Sequence, residues 1–247
     1  MISLFHTLIS DPLYNGLVFL MSVLPFFDEG VIIVIFTIII KLILLPLSVK
    51  ASKAQIKMKS TEKDLAVIKE KYKDNKEEQS RKIMGFYKEN GINPFSSILI
   101  LIIQLPILIG LYRIFLKSGL PAINENLLYS FITAPNPASI SMTFLSFVNI
   151  SEKSLILALL AGITTYFQVS LSSGAQKPPT PNSSSGIQEN LAKAMSVQMK
   201  YFFPIMMVFI AYTISSAIAI YLITSNLFAI GQEIYIKKKY HKSAMVI

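Results

Sequence analysis

The stretch "VIIVIFTIIIKLILLPL", residues 31–47, decides how the rest of the chain is read. It is apolar and long enough to enter a bilayer, yet Lys41 sits within it. A lysine at the centre of a membrane helix costs roughly 2.5–3.5 kcal/mol on insertion scales, so its charge needs water, a counter-ion or an interface. Snorkelling is the plain alternative. Lys41 precedes Lys50 by nine residues, which sets its Cα roughly 13 Å from that end at 1.5 Å per residue. The lysine stem covers only part of that distance, and no apolar block holds a central Asp or Glu to neutralise the charge. A hydrated groove accounts for Lys41 better than a dry bundle does.

The surrounding composition agrees with a membrane reading. Of 247 residues, 53% are hydrophobic and only 15% charged, and the apolar residues come in blocks. That pattern predicts an all-α integral membrane protein. The net charge of +9 lies beside the apolar blocks, which suits topology and lipid headgroups better than nucleic acid. With no cysteine, disulfides, thiol chemistry and a lipoprotein anchor are excluded. His6 and His241 stand at opposite ends without metal-like spacing, so no cofactor or metal is expected.

Five spans are expected: 31–49, 93–117, 154–171, 201–215 and 216–236. The last two divide one block of residues 201–236, too long for a single crossing of about 20 residues, near Ser215-Ser216. Residues 1–30 carry no Lys or Arg, and Pro12, Asn15 and Gly16 interrupt them. They predict an external interfacial helix, with a separate span from about Leu13 to Phe27 as the alternative. Residues 50–90 hold twelve Lys or Arg against seven acids, with apolar residues at near-helical spacing. "KDNK" (73–76) supplies a turn and Asn90-Gly91 a stop, so 50–92 reads as a helical hairpin. Residues 118–153 form an external connection, 172–200 a linker, and 237–247 a basic tail. The positive-inside rule then puts hairpin, linker and tail in the cytoplasm and the N-terminus outside.

Polar side chains punctuate these spans. On one straight helix Thr37, Lys41 and Ser48 would point within about 40° of one another. Gln104 lies mid-span before Pro106; Thr164 and Gln168 are four residues apart, as are Tyr221 and Ser225, with Asn226 next. The economical arrangement turns Thr37, Lys41, Ser48, Gln104, Thr164, Gln168, Tyr221 and Ser225 toward one shared cavity. Each has a bland reading as well. A Ser or Thr in a span usually bonds back to its own helix, Gln104 could be interhelical glue, and Pro106 and Pro204 could be simple kinks.

The order of these features is similar to a known family. "IIIKLILLPL" is followed by a basic hairpin, then "YKENGINPFSSILILIIQLPILIGLYRIF", "FFPIMM" and "YLITSNLFAIGQEIYIKKK". The chain over about residues 12–240 resembles the YidC family of membrane protein insertases, relatives of the mitochondrial Oxa and thylakoid Alb proteins. The combination Asn93-Pro94, Gln104-x-Pro106, Leu111-Tyr112 and Ser225-Asn226 carries most of the specificity. The family usually has Arg where Lys41 stands, which keeps the charge but loses the bidentate fork. The external domain and extra first span of the Gram-negative type are not seen, which suggests a minimal five-span form.

The resemblance implies a non-enzymatic insertase in the bacterial inner membrane, driven by client hydrophobicity and membrane potential. It implies a groove open to cytoplasm and lipid, and nascent membrane proteins as clients. The ribosome, the Sec translocon and membrane lipids are candidate partners, and a monomer is expected to suffice. The tail "KKKYHKS" suits either rRNA or anionic lipid. The rival is a small transporter or channel with Lys41 as an anion site; a structural scaffold would leave the polar stripes unexplained.

Overall fold

The computed structural model describes residues 6–92, 96–117, 123–136, 140–173 and 198–244. Asn93-Pro94, most of the 172–200 linker and the last three residues lie outside this set.

After a π-turn at His6–Ser10, α1 runs Asp11–Val23. Its 13 residues reach about 20 Å, too short for a bilayer core of about 30 Å. Pro12 starts this helix rather than interrupting it, and the helix passes through Asn15 and Gly16. That departs from the sequence expectation, and tertiary contacts explain it. A Cβ on Gly16 would sit 2.9 Å from the Phe36 ring, so the glycine admits the ring. Asn15 donates to Leu127 O (2.9 Å) and accepts from the Tyr129 N–H (2.7 Å).

Helix α2 (Glu29–Ile43) is capped by Asp28, whose carboxylate accepts from the Val31 N–H at 2.9 Å. It ends at Leu44, and α3 (Leu45–Ser60) leaves at a bend of 63°. The cause is Pro46, which lacks an N–H and whose ring collides with the carbonyl four residues back. The straight helix assumed for 31–49 is therefore broken, and Ser48 does not continue the Thr37–Lys41 face. Helices α4 (Glu62–Lys71) and α5 (Lys76–Glu89) form the hairpin, and Gly91 stands at φ +59° beyond Asn90. Gln79 donates to Lys69 O (2.6 Å) across it, and a cleft of about 910 Å³ beside Tyr72 and Phe86 lies between the two helices.

Helix α6 (Ser96–Lys117) carries Pro106 internally; α7 spans Leu155–Ser173 and α8 Phe203–Ile214. At Ser215 the backbone becomes extended (φ −170°, ψ 164°), and α9 runs from Ser216 to Ala244. The helix thus continues through the basic segment at 237–244 rather than ending at 236. Two helices, Leu155–Ser172 and Ser216–Lys239, are long and apolar enough to cross a membrane among the described residues, or three with the bent α2–α3 pair. Gln104–Phe115 and Lys200–Ile214 are shorter apolar helices.

Among the described residues, the regular structure is helical but for one small element. Strands β1 (Thr143–Phe144) and β2 (Val148–Asn149) pair antiparallel, with Leu145 and Ser146 at positive φ in the turn. This hairpin seats on the start of α2. A Cβ on Gly30 would lie 2.4 Å from Phe144 Cβ, and Glu29 N–H donates to Ser141 O (3.0 Å). The same segment covers the start of α9, where Ser216 N–H donates to Glu152 O (2.8 Å) and Ala217 N–H to Ile150 O (3.0 Å). One end of the bundle is thereby capped. The buried core, including Leu17, Ile32, Ile33, Phe36, Leu111, Ala158, Ile218 and Leu222, fills the half next to this cap.

Candidate functional site

The other half of the bundle is where the polar side chains gather. Lys41 is two residues before the end of α2, Gln104 lies in the first half of α6, and Tyr221 lies in the second turn of α9. Lys41 Nζ donates to Gln104 Oε1 at 3.2 Å, and Gln104 Nε2 donates to the Tyr221 hydroxyl at 2.6 Å. The orientation of the amide follows from chemistry. An ammonium only donates, so Gln104 must turn its oxygen to Lys41 and its NH₂ to the phenol. Tyr221 is fully buried and is also hydrogen-bonded with Ser225, itself buried. Among the described residues no carboxylate comes within ion-pair distance of Lys41. The cation is held by a neutral chain of hydrogen bonds linking three helices.

A second cluster lies on the α7–α9 seam. Asn226 Nδ2 donates to Thr165 Oγ1 (2.8 Å) and Thr164 Oγ1 (3.2 Å). Both threonines spend their own hydrogens on α7 carbonyls, Thr165 on Ala161 O and Thr164 on Leu160 or Ala161 O. Nearer the hairpin, Ser48 Oγ lies 2.9 Å from Gln232 Oε1 and 3.0 Å from Leu45 O. Lys237 ties the end of α9 to α7 by donating to Leu171 O, with Glu233 Oε1 3.3 Å from its Nζ.

Of the eight expected residues, Lys41, Gln104, Tyr221 and Ser225 come together as one connected set. Thr164 belongs to the Asn226 cluster and Ser48 pairs with Gln232 beyond the bend. Two point elsewhere. Thr37 is buried and donates to Ile33 O (2.6 Å), and Gln168 donates along its own helix to Ser172 (3.3 Å). For Thr37 the back-bonded reading holds. Gln232 was not singled out from sequence. Its spacing of seven from Ser225 was the available signal, since two helical turns return to nearly the same face.

Around these polar groups the exterior is apolar. Leu155, Ile156, Leu159, Leu160, Ile163 and Phe167 are exposed along α7, as are Ile205 and Phe209 on α8. Such a surface needs hydrocarbon around it. This is an integral membrane protein.

Comparison with known proteins agrees. The family model described as 60Kd inner membrane protein matches residues 20–243. The membrane protein insertase YidC of Clostridium tetani is 33% identical over 214 residues, covering 87% of this chain and 84% of that protein. The YidC of Fusobacterium nucleatum is 32% identical over 210 residues, covering 85% and 86%. The longer YidC of Chloroherpeton thalassium is 29% identical over 218 residues, which cover 88% of this chain but 34% of that protein.

Proposed function

The chain belongs to the 60Kd inner membrane protein family, and on that premise we propose that it works as a membrane protein insertase. In this reading the polar flank of a nascent membrane protein enters a hydrated, positively charged groove. The client's apolar span then leaves sideways into lipid. The observation that carries the proposal is Lys41, a cation held among three helices by Gln104 and Tyr221 with no carboxylate among the described residues to neutralise it. Such a charge is costly to keep in hydrocarbon, and it attracts acidic flanks.

The asymmetry of the bundle supports the same mechanism. Its apolar core and the 140–152 segment fill the capped half, while Lys41, Gln104, Ser225 and Gln232 lie toward the hairpin. A groove wet over one half shortens the dry path that a polar flank must cross, while the capped half prevents leakage. A channel with Lys41 as an anion site would need a continuous polar path through the cap, where the few buried polar side chains, such as Asn15 and Ser216, are tied to backbone groups beside an apolar core of Leu17, Ile32, Ile33 and Ile218.

Five spans then correspond to α2, α6, α7, α8 and α9, with the bend at Leu44 turning α3 toward the membrane surface. The hairpin and the end of α9 face the cytoplasm, and α1 lies in the outer interface with the N-terminus outside. Nascent membrane proteins are the clients. The basic hairpin and tail suit the ribosome or anionic lipid, the Sec translocon is a further candidate partner, and one copy suffices. No chemical step or cofactor is assigned.

The test is insertion into liposomes of a single-span client with an acidic translocated flank, read by protease protection. Lys41→Arg should keep activity, while Lys41→Ala should lose about tenfold or more, in line with the loss of a close charge pair. Wild-type insertion by Lys41→Ala would remove the electrostatic role.

A further inference from the structure

The contact between Lys41 and Gln104 also bears on which clients are accepted. We infer that Gln104 is the resting ligand of the Lys41 ammonium, a neutral placeholder that a client carboxylate displaces and a neutral polar flank does not. The inference rests on the insertase reading above.

The geometry makes Gln104 an unusually well-prepared competitor. Its amide oxygen is 3.2 Å from Lys41 Nζ, and its nitrogen is anchored 2.6 Å from the Tyr221 hydroxyl. Tyr221 is only 1% exposed, and Ser225 beside it 2%, so the anchor does not wander. The amide is therefore oriented before any client arrives, and its ordering cost is already met by folding. An incoming Asn, Gln or Ser offers Lys41 the same kind of neutral acceptor while having its own ordering entropy to lose. It gains nothing by exchange. A carboxylate differs, because a hydrogen bond between two ions is roughly twice as strong as a neutral one, and a surrounding of low dielectric strengthens it further. Selection thus arises as a difference between two ligands for one cation, with the weaker ligand built into the protein.

Displacement also has a structural consequence. Among the described side chains of α6, Gln104 is the one that hydrogen-bonds to both α2 and α9 in the polar half. When a carboxylate takes Lys41, the α6 amide keeps only its Tyr221 bond, and the link between α6 and α2 at this level is released. Arrival of an acidic flank would thereby loosen the wall of the groove that it enters.

The experiment uses the full chain in liposomes and two single-span clients, identical except for two Asp or two Asn in the translocated flank. Gln104→Glu builds in a carboxylate ligand, and should slow insertion of the Asp client by about tenfold because an ion pair must now be broken. Gln104→Leu removes the placeholder, and should raise the Asn client so that the Asp-to-Asn rate ratio falls by about threefold or more. Wild-type insertion of the Asp client by Gln104→Glu would overturn the inference. So would a Gln104→Leu protein that slows both clients equally with an unchanged ratio, since the amide would then merely line the groove. If Gln104→Glu fails to fold, the ratio measured with Gln104→Leu decides alone. Full activity of Lys41→Ala on the Asp client would instead sink the groove reading itself, so the two failures are distinguishable.

Discussion

The two ends of this bundle are built on opposite principles. At the capped end, residues far apart in sequence hold one another through part-buried hydrogen bonds to backbone groups. Asn15 binds Leu127 and Tyr129, the Tyr14 hydroxyl accepts from the Asn124 N–H at 2.8 Å, and Ser216 binds Glu152 through both its N–H and its hydroxyl. At the other end the α4–α5 hairpin is tied mainly by near neighbours. Lys73 reaches Glu70 at 3.2 Å, which holds its ammonium above the usual range, and Lys71 and Lys82 lie over the Tyr72 ring. Exposed pairs of this kind contribute little to stability. A buried amide or carbonyl deprived of its partner costs far more. The cap is therefore held by contacts between distant segments, and the hairpin is a solvated appendage.

Two glycines give the sharpest contrast. Gly30→Ala should destabilise the protein by about 3 kcal/mol, the upper range for overpacking, because the new Cβ meets Phe144 Cα at 2.7 Å as well as its side chain. The check is thermal unfolding in detergent, and an unchanged midpoint would mean that the β1–β2 hairpin does not seat on α2. Asn15→Leu comes next, at about 2 kcal/mol, because the Leu127 carbonyl and Tyr129 N–H lose their partner. Limited proteolysis should then cut the 123–129 segment first. Cutting in the hairpin alone would contradict that assignment.

Gly85→Ala, in contrast, should stabilise α5 by roughly 0.5–1 kcal/mol, because a Cβ there meets nothing within 4 Å and helix propensity favours alanine. Destabilisation would reveal a close partner for the hairpin. The smallest effect on stability is expected from removing the hairpin altogether. Its two stems meet where a Cβ on Gly91 would lie 3.9 Å from Lys57 Nζ, so a short linker can replace residues 60–89. That variant should unfold at nearly the wild-type temperature and insert clients poorly. Collapse of the fold would erase the distinction between the two ends.

A labelling experiment carries the contrast into the groove. The cysteine-free background allows single cysteines at positions 37, 48, 104 and 225 to be probed with an impermeant thiol reagent from the hairpin side. Reaction of the Ser48→Cys and Gln104→Cys proteins, with Thr37→Cys and Ser225→Cys silent because both residues are buried, would match a half-wet bundle. Reaction from the capped side as well would mean a continuous pore.

Much of this was legible in the residues. An apolar run containing Lys41, the Asn90-Gly91 stop, the turn at 73–76 and the break at Ser215-Ser216 all depend on local chemistry, and local chemistry is written in neighbouring residues. Gln104, Tyr221 and Ser225 stood out because a polar group inside an apolar block must find a partner somewhere. Thr37 and Gln168 stood out for the same reason, yet found theirs on their own helices. Nothing in the spacing separates those two outcomes.

By itself, the sequence determined that the chain is a helical membrane protein with a cation it must shelter, since burial costs and helix signals act within one segment. Only the tertiary structure decided which partner each polar group takes. Pro46 turns Ser48 away from Lys41 and toward Gln232, a pairing across 184 residues. Packing of Phe36 carries α1 straight through Gly16. The turn at Leu145-Ser146 takes left-handed backbone without glycine or asparagine, at a strain that contact with α2 and α9 must offset. In each case the deciding energy is a contact between segments distant in sequence, and such contacts exist only once the helices are assembled.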